Sequence, residues 1–158
     1  MTTVYRLLRS LYAARPFDGE GAYRYGGRWS SPGTRVAYTS EHQSLAMLEY
    51  FVHLDRDNPP TDLVLAAARV PCDLSREHFD PAVLPADWRE SPAPSELASI
   101  GDEFISSGRI AVLIVPSALA PSESNWLLNP QHSDFARIEF DPLQPFEYDR
   151  RSGNSVSL

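Results

Sequence analysis

The chain has 158 residues, of which 42% are hydrophobic and 22% charged; this is ordinary globular usage, which excludes wholesale disorder, and the length fits one core. A net charge of −7 argues against nucleic acid as the main partner, because phosphate binding needs a basic face. The single Cys72 excludes an internal disulfide and a multi-cysteine metal site, and Arg6 and Arg9 break the N-terminal apolar run, leaving neither a signal segment nor a membrane span. The expectation is a soluble cytoplasmic protein.

Val4 to Leu8 alternates and predicts a first strand, with Arg6 on the face of Val4 and Leu8. Residues 13 to 34 hold five glycines and two prolines without a clear period and read as a long loop with room for a turn of helix. Arg35 to Thr39 reads as a short strand. Ser40-Glu41-His42-Gln43 has the spacing of a capping box and predicts a helix with Leu45, Ala46, Leu48 and Val52 on its apolar stripe, ending before Asn58-Pro59-Pro60. Glu49 falls at the edge of that stripe, where a carboxylate belongs either to the rim of the core or to a cleft.

Leu63 to Val70 reads as a strand, although its alanines also suit a helix. Residues 72 to 94, rich in proline, predict a long irregular excursion. Ser95 to Ser107 carries Leu97, Ile100 and Phe104 on one face and meets Gly108 as a stop, giving a second helix. Ile110 to Val115 is an unbroken apolar run expected at the middle of the sheet. Alternation of Ala136, Ile138 and Phe140 with Arg137 and Glu139 predicts a further strand.

The chemistry concentrates around Gly26-Gly27-Arg28-Trp29-Ser30-Ser31-Pro32-Gly33. Glycines and proline shape a tight loop there. A guanidinium in such a loop suits phosphate or carboxylate, while the nearby Tyr38 and Glu49 suit a flat cationic ring, and a dinucleotide such as NAD has both parts. Arg6, Arg9, Arg15, Arg24, Arg28 and Arg35 crowd the first 35 residues against only Asp18 and Glu20, with no lysine. Ser117 directly follows the apolar run, but no G-x-S-x-G elbow surrounds it, so a ligand hydrogen bond or turn chemistry is favoured over a nucleophile. The four histidines and Cys72 lack zinc spacing and no calcium loop exists, so no metal is expected. Neither Gly19-Glu20-Gly21 nor Gly26-Gly27 fits the Rossmann or P-loop pattern. In Pro121-Ser122-Glu123-Ser124-Asn125-Trp126-Leu127-Leu128-Asn129-Pro130, two readings stand: a surface loop pinned by Trp126, or a loop in which Asn129, stiffened by Pro130, holds a backbone or ligand group.

With Gly26-Gly27-Arg28-Trp29, Tyr38, Leu48-Glu49, Val115-Pro116-Ser117-Ala118 and Asn125 to Pro130 in this order, the chain resembles the RES domain family, named for its Arg, Glu and Ser. Leu84-Pro85-Ala86-Asp87-Trp88-Arg89 and Phe146 to Arg150 extend the resemblance over nearly the whole chain. One domain is expected over residues 1–150, and 151–158 read from the sequence as a disordered tail. The fold implied by the resemblance is α+β and related to ADP-ribosyltransferases, with a split mixed β-sheet, flanking helices and long proline-rich loops around an NAD cleft. The resemblance also implies a toxin of a bacterial toxin–antitoxin pair that degrades NAD.

Carried over, the family Arg, Glu and Ser are Arg28, Glu49 and Ser117. Glu49 and Arg28 are the expected catalytic pair, and Arg6, Arg28, Tyr38, Ser117 and Asn129 the expected NAD-binding residues, with Tyr38 lining the nicotinamide site. One departure is Ser30, where the family often has Asn after Gly-Arg-Trp. The implied reaction is a glycohydrolase or phosphorylase cleavage that releases nicotinamide. NAD is the substrate rather than a resident cofactor, and water or inorganic phosphate is the acceptor. A cognate Xre-type antitoxin is the implied protein partner, with no nucleic acid and no membrane. The alternatives are ADP-ribosyl transfer to a macromolecule and a non-catalytic antitoxin-binding module.

Overall fold

The computed structural model describes residues 1–149 and 151; the expected tail therefore lies, Arg151 apart, outside the described residues. Strand β1 (Thr2–Arg9) runs the length of β3 (Leu63–Val70) with eight registered antiparallel pairs from Thr2↔Val70 to Arg9↔Leu63. This ladder settles the alanine-rich segment as a strand, because it pairs backbone groups that a helix would have to satisfy alone. On its other side β1 meets β2 (Ala37–Ser40) through a single registered pair, Tyr5↔Ser40. The sheet is thus seamed weakly between β1 and β2.

From β2 the sheet continues through β6 (Ser124–Leu128) and β5 (Val112–Pro116) to β4 (Arg76–His78), which pairs with β5 in parallel while the other pairings are antiparallel. Short strands β7 (Glu139–Phe140) and β8 (Gln144–Pro145) line the far edge of β3. The result is a mixed, curled, half-barrel sheet of the α+β class with three α-helices among the described residues: α1 (Glu20–Tyr25), α2 (Gln43–Phe51) and α3 (Ser95–Ser107). None of these is long and apolar enough to cross a membrane.

Both faces of the sheet are covered. Val4, Leu8, Ala66, Ala68, Ile114, Trp126 and Leu128 form one core with Phe17 and Ile138, whereas Leu113, Val115 and Leu127 form the other with Trp29, Trp88, Leu97 and Phe104. All five residues of β5 are buried, as its apolar run predicts. It nevertheless stands one strand from the edge rather than at the middle, because only the three-residue β4 flanks it. Helix α3 spans the predicted residues and closes on Gly108 at φ +62°, the left-handed cap that glycine adopts without strain.

Four local expectations are corrected. Ser40 does not cap α2: it ends β2, and His42 takes the N-cap position without a side-chain bond. The helix stops at Phe51, and Leu48 and Val52, placed on the apolar stripe by spacing, are 40% and 49% exposed. The alternation from Ala136 to Phe140 is mostly a 3-10 turn over Ser133–Arg137, started by His132 Nδ1 accepting from the Asp134 amide, with only Glu139–Phe140 in a ladder. The polar Asn125-Trp126-Leu127-Leu128 segment is strand β6 rather than a surface loop, and Trp126, Leu127 and Leu128 are buried.

Candidate active site

The Gly-Arg-Trp loop is built on main-chain contacts. The Gly27 amide donates to Ser30 O at 2.9 Å and the Ser30 amide to Gly27 O at 3.4 Å, which sets Arg28 and Trp29 at the tip of a tight turn. Gly26 enters this turn at φ +71°, and a Cβ at Gly27 would lie 2.7 Å from the Tyr38 hydroxyl. Two adjacent glycines thus answer two different demands, one of backbone angle and one of space.

Tyr38, from β2, holds the turn from below. Its hydroxyl accepts from the Trp29 amide at 3.1 Å and shares a 2.7 Å hydrogen bond with Ser30 Oγ. Burial raises its pKa to about 12 against the smaller opposing effect of those bonds, so the phenol stays neutral. The Ser31 amide donates to Asp102 Oδ1 of α3 at 2.9 Å. Burial pushes the Asp102 carboxyl up, yet hydrogen bonds from Ser31 and Thr34 outweigh it and leave it below the ordinary carboxylate value. Arg28 itself donates through Nη1 to Trp88 O at 2.9 Å and Glu90 O at 2.8 Å. The proline-rich excursion therefore fixes this guanidinium, and its Nε and Nη2 make no hydrogen bond among the described residues.

Glu49 lies on α2, partly buried. Its Oε1 accepts from Ser117 Oγ at 2.7 Å and from Asn125 Nδ2 at 2.8 Å. Ser117, fully buried where the chain leaves β5, also accepts from the Leu119 and Ala120 amides at 3.1 and 3.2 Å. Its proton goes to the carboxylate and its lone pairs to the turn, so the hydroxyl is engaged on every side. Asn125 Oδ1 in turn accepts from Ser40 Oγ at 2.7 Å. Glu49 Oε2 accepts no hydrogen bond among the described residues. The cluster presents one free carboxylate oxygen beside a fixed one.

Strand β2 links the two clusters, because Tyr38 and Ser40 are two residues apart and share a face. A second link runs through Arg89, whose Nε donates to Ala118 O at 2.9 Å beside Ser117, while its neighbours Trp88 and Glu90 receive Arg28. Two expected residues stand outside these bonds. Arg6 shares the face of Val4 and Leu8 and makes no hydrogen bond or ion pair among the described residues. Burial lowers its pKa against the raising influence of Asp18 and Tyr12, though a guanidinium stays charged. Asn129 is buried but local: its Oδ1 accepts from the Gln131 amide at 3.0 Å and its own amide donates to Ala111 O at 2.9 Å. Asn125 and Ser40, which sequence reasoning missed as site residues, occupy places that Asn129 does not. The signal was present as a polar residue in register with Ser40, but it becomes readable only once β2 and β6 are known to pair.

A carboxylate also sits near His42, whose Nδ1 lies 2.7 Å from Glu123 Oε1, while Glu41 Oε1 accepts from the Ser124 amide at 2.8 Å. These three side chains satisfy one another and the strand end.

The RES domain model matches residues 3–149. The chain belongs to the RES domain family. This RES domain is 36% identical over 145 residues to a protein of Yersinia enterocolitica named Toxin Res, covering 92% of this chain and 94% of that protein. It is also 36% identical over 142 residues to a Sphingobium protein named Prs ADP-ribosylating toxin, covering 89% and 88%. In fold it is similar to a chain in the crystal structure of the M. tuberculosis MbcT–MbcA toxin–antitoxin complex, with a TM-score of 0.74 at 19% identity, covering 91% of this chain and 83% of that one.

Proposed function

We propose that this RES domain is the toxin of a bacterial toxin–antitoxin pair and that it breaks NAD at the nicotinamide–ribose bond. The observation that carries the reading is the Glu49 carboxylate, held at Oε1 by Ser117 and Asn125 with Oε2 free. Cleavage passes through an oxocarbenium-like ribose, and a preorganised carboxylate stabilises the positive charge that develops there. The cationic pyridinium takes the bonding electron pair and leaves as neutral nicotinamide, so no general acid is needed. Water as acceptor yields ADP-ribose, and inorganic phosphate yields its 1-phosphate.

In this reading the free Nε and Nη2 donors of Arg28, with Arg6, grip the pyrophosphate, since a planar guanidinium suits paired phosphate oxygens. Tyr38 supports the nicotinamide end as a neutral phenol and fixes the Arg28 turn. Ser117 acts on Glu49 rather than as a nucleophile, and Asn129 serves the turn after β6. NAD is substrate, and no resident cofactor or metal is required. The relatives named Toxin Res and the neighbour's place in a toxin–antitoxin complex support a cognate antitoxin as protein partner.

One observation favours a second reading, namely the Sphingobium relative called an ADP-ribosylating toxin. In it the same carboxylate serves transfer of ADP-ribose to a macromolecule. The deciding experiment is nicotinamide release from NAD by the purified, antitoxin-free chain, with and without phosphate and with and without a cell extract as the source of macromolecular acceptors, using NAD labelled in the adenylate. Glu49-dependent release with only small labelled products supports hydrolysis or phosphorolysis; label carried on a macromolecule supports transfer; no release from folded protein overturns both.

A further inference from the structure

The hold on Glu49 has a logic of its own. A carboxylate oxygen can only accept, so the Asn125 amide must turn its NH2 toward Glu49, and its own oxygen then faces Ser40, which has a proton to give. The flipped amide would set two acceptors against each other at Glu49. Glu49 therefore selects the amide orientation, and the Ser40 hydroxyl holds it by donating to the amide oxygen that this orientation turns toward β2. Neither side chain is on a loop: Ser40 and Asn125 are direct cross-strand partners of β2 and β6, and Ser40 is 4% exposed. With Ser117 and Asn125 both donating to Oε1, rotation of the carboxylate breaks two charge-assisted bonds, so Oε2 points one way.

We propose that Asn125, held in place by Ser40, is a positioning residue that aims Glu49 Oε2 at the ribose carbon of NAD from which nicotinamide departs. This rests on the NAD-cleaving reading above and adds two residues to it. Neither residue touches substrate in this account. Their contribution is the fixed direction of a catalytic oxygen, which preorganisation makes worth most in the transition state and little in binding.

The test takes the purified full chain as wild type, Asn125→Leu, Ser40→Ala and the double variant, with folding checked by thermal melting. The expected result is a loss of kcat of about a hundredfold for Asn125→Leu, with KM changed by less than about threefold, the pattern of an interaction made only in the transition state. Ser40→Ala is expected to lose about tenfold alone and nothing further in the Asn125→Leu background, because it acts only through the amide. Full kcat in folded Asn125→Leu, or additive losses in the double variant, would overturn the proposal.

A second measurement needs no turnover: the Asn125 side-chain amide resonance, assigned by its loss in Asn125→Leu, is expected to move in both Glu49→Gln and Ser40→Ala. A resonance indifferent to both substitutions overturns the relay even if NAD is cleaved. Wild type that moves the resonance as expected but releases no nicotinamide overturns the NAD reading, and with it the ribose as target, while leaving the relay standing.

Discussion

The Arg28 loop and the Glu49 cluster are joined through one strand, β2, but they are built by different means. Arg28 is held by backbone: two glycines shape its turn, two carbonyls of the excursion take its Nη1, and the Tyr38 hydroxyl caps the turn amide. Glu49 is held by side chains: Ser117 and Asn125 project from strands or their ends and donate to one carboxylate oxygen, while Ser40 holds Asn125. A loop made of main-chain contacts depends on space and angle. A side-chain cluster depends on chemistry at a few atoms. Substitutions should therefore damage the two regions differently, the first through stability and the second through turnover.

The largest expected effect falls on the cluster. Glu49→Gln keeps size and shape but removes the charge, and nicotinamide release is expected to fall by about a thousandfold, about 4 kcal/mol of barrier, with the melting temperature nearly unchanged. Retained release in folded Glu49→Gln would end the proposed mechanism.

On the loop side, Gly101→Ala sharpens the contrast. Alanine in a helix interior is normally better than glycine by about 1 kcal/mol, but a Cβ at Gly101 would lie 1.5 Å from the carbonyl oxygen of Trp29. Backbone must move, so a loss of about 3 kcal/mol is expected on chemical denaturation. Tyr38→Phe comes next: it strands the buried Trp29 amide and Ser30 hydroxyl and is expected to cost about 1–3 kcal/mol, read in the same way.

The smallest effect is electrostatic and depends on pH. Asp102 has a folded pKa below its ordinary value, so its anchoring of Ser31 is fully present above that ordinary value and is lost as pH falls through the depressed one. The melting-temperature gap between wild type and Asp102→Asn should be widest near neutrality and close in acid. A gap that persisted below about pH 2 would assign the effect to packing instead of charge.

Much of this molecule was legible in the sequence. The first strand, the Leu63–Val70 strand, the Ser95–Ser107 helix with its Gly108 stop and the buried run of β5 all follow from local periodicity and end signals. Residues 133–140 and the Ser40 capping box misled, because a side-chain hydrogen bond formed elsewhere: His132 to its own turn, and Ser40 across the sheet. Spacing offers a partner but cannot say which partner a hydroxyl takes.

By itself, the sequence determined the elements that depend on neighbours three or four residues away, and it placed Glu49 at the rim of its helix. The order of the strands, the weak seam between β1 and β2, and the meeting of Glu49 with residues 68 and 76 positions away were decided only by the tertiary structure. The physical reason is register: when β2 pairs with β6 as Ser40↔Asn125, one face gains a polar pair opposite a helix carboxylate, and no local pattern carries the register between strands that are 85 residues apart.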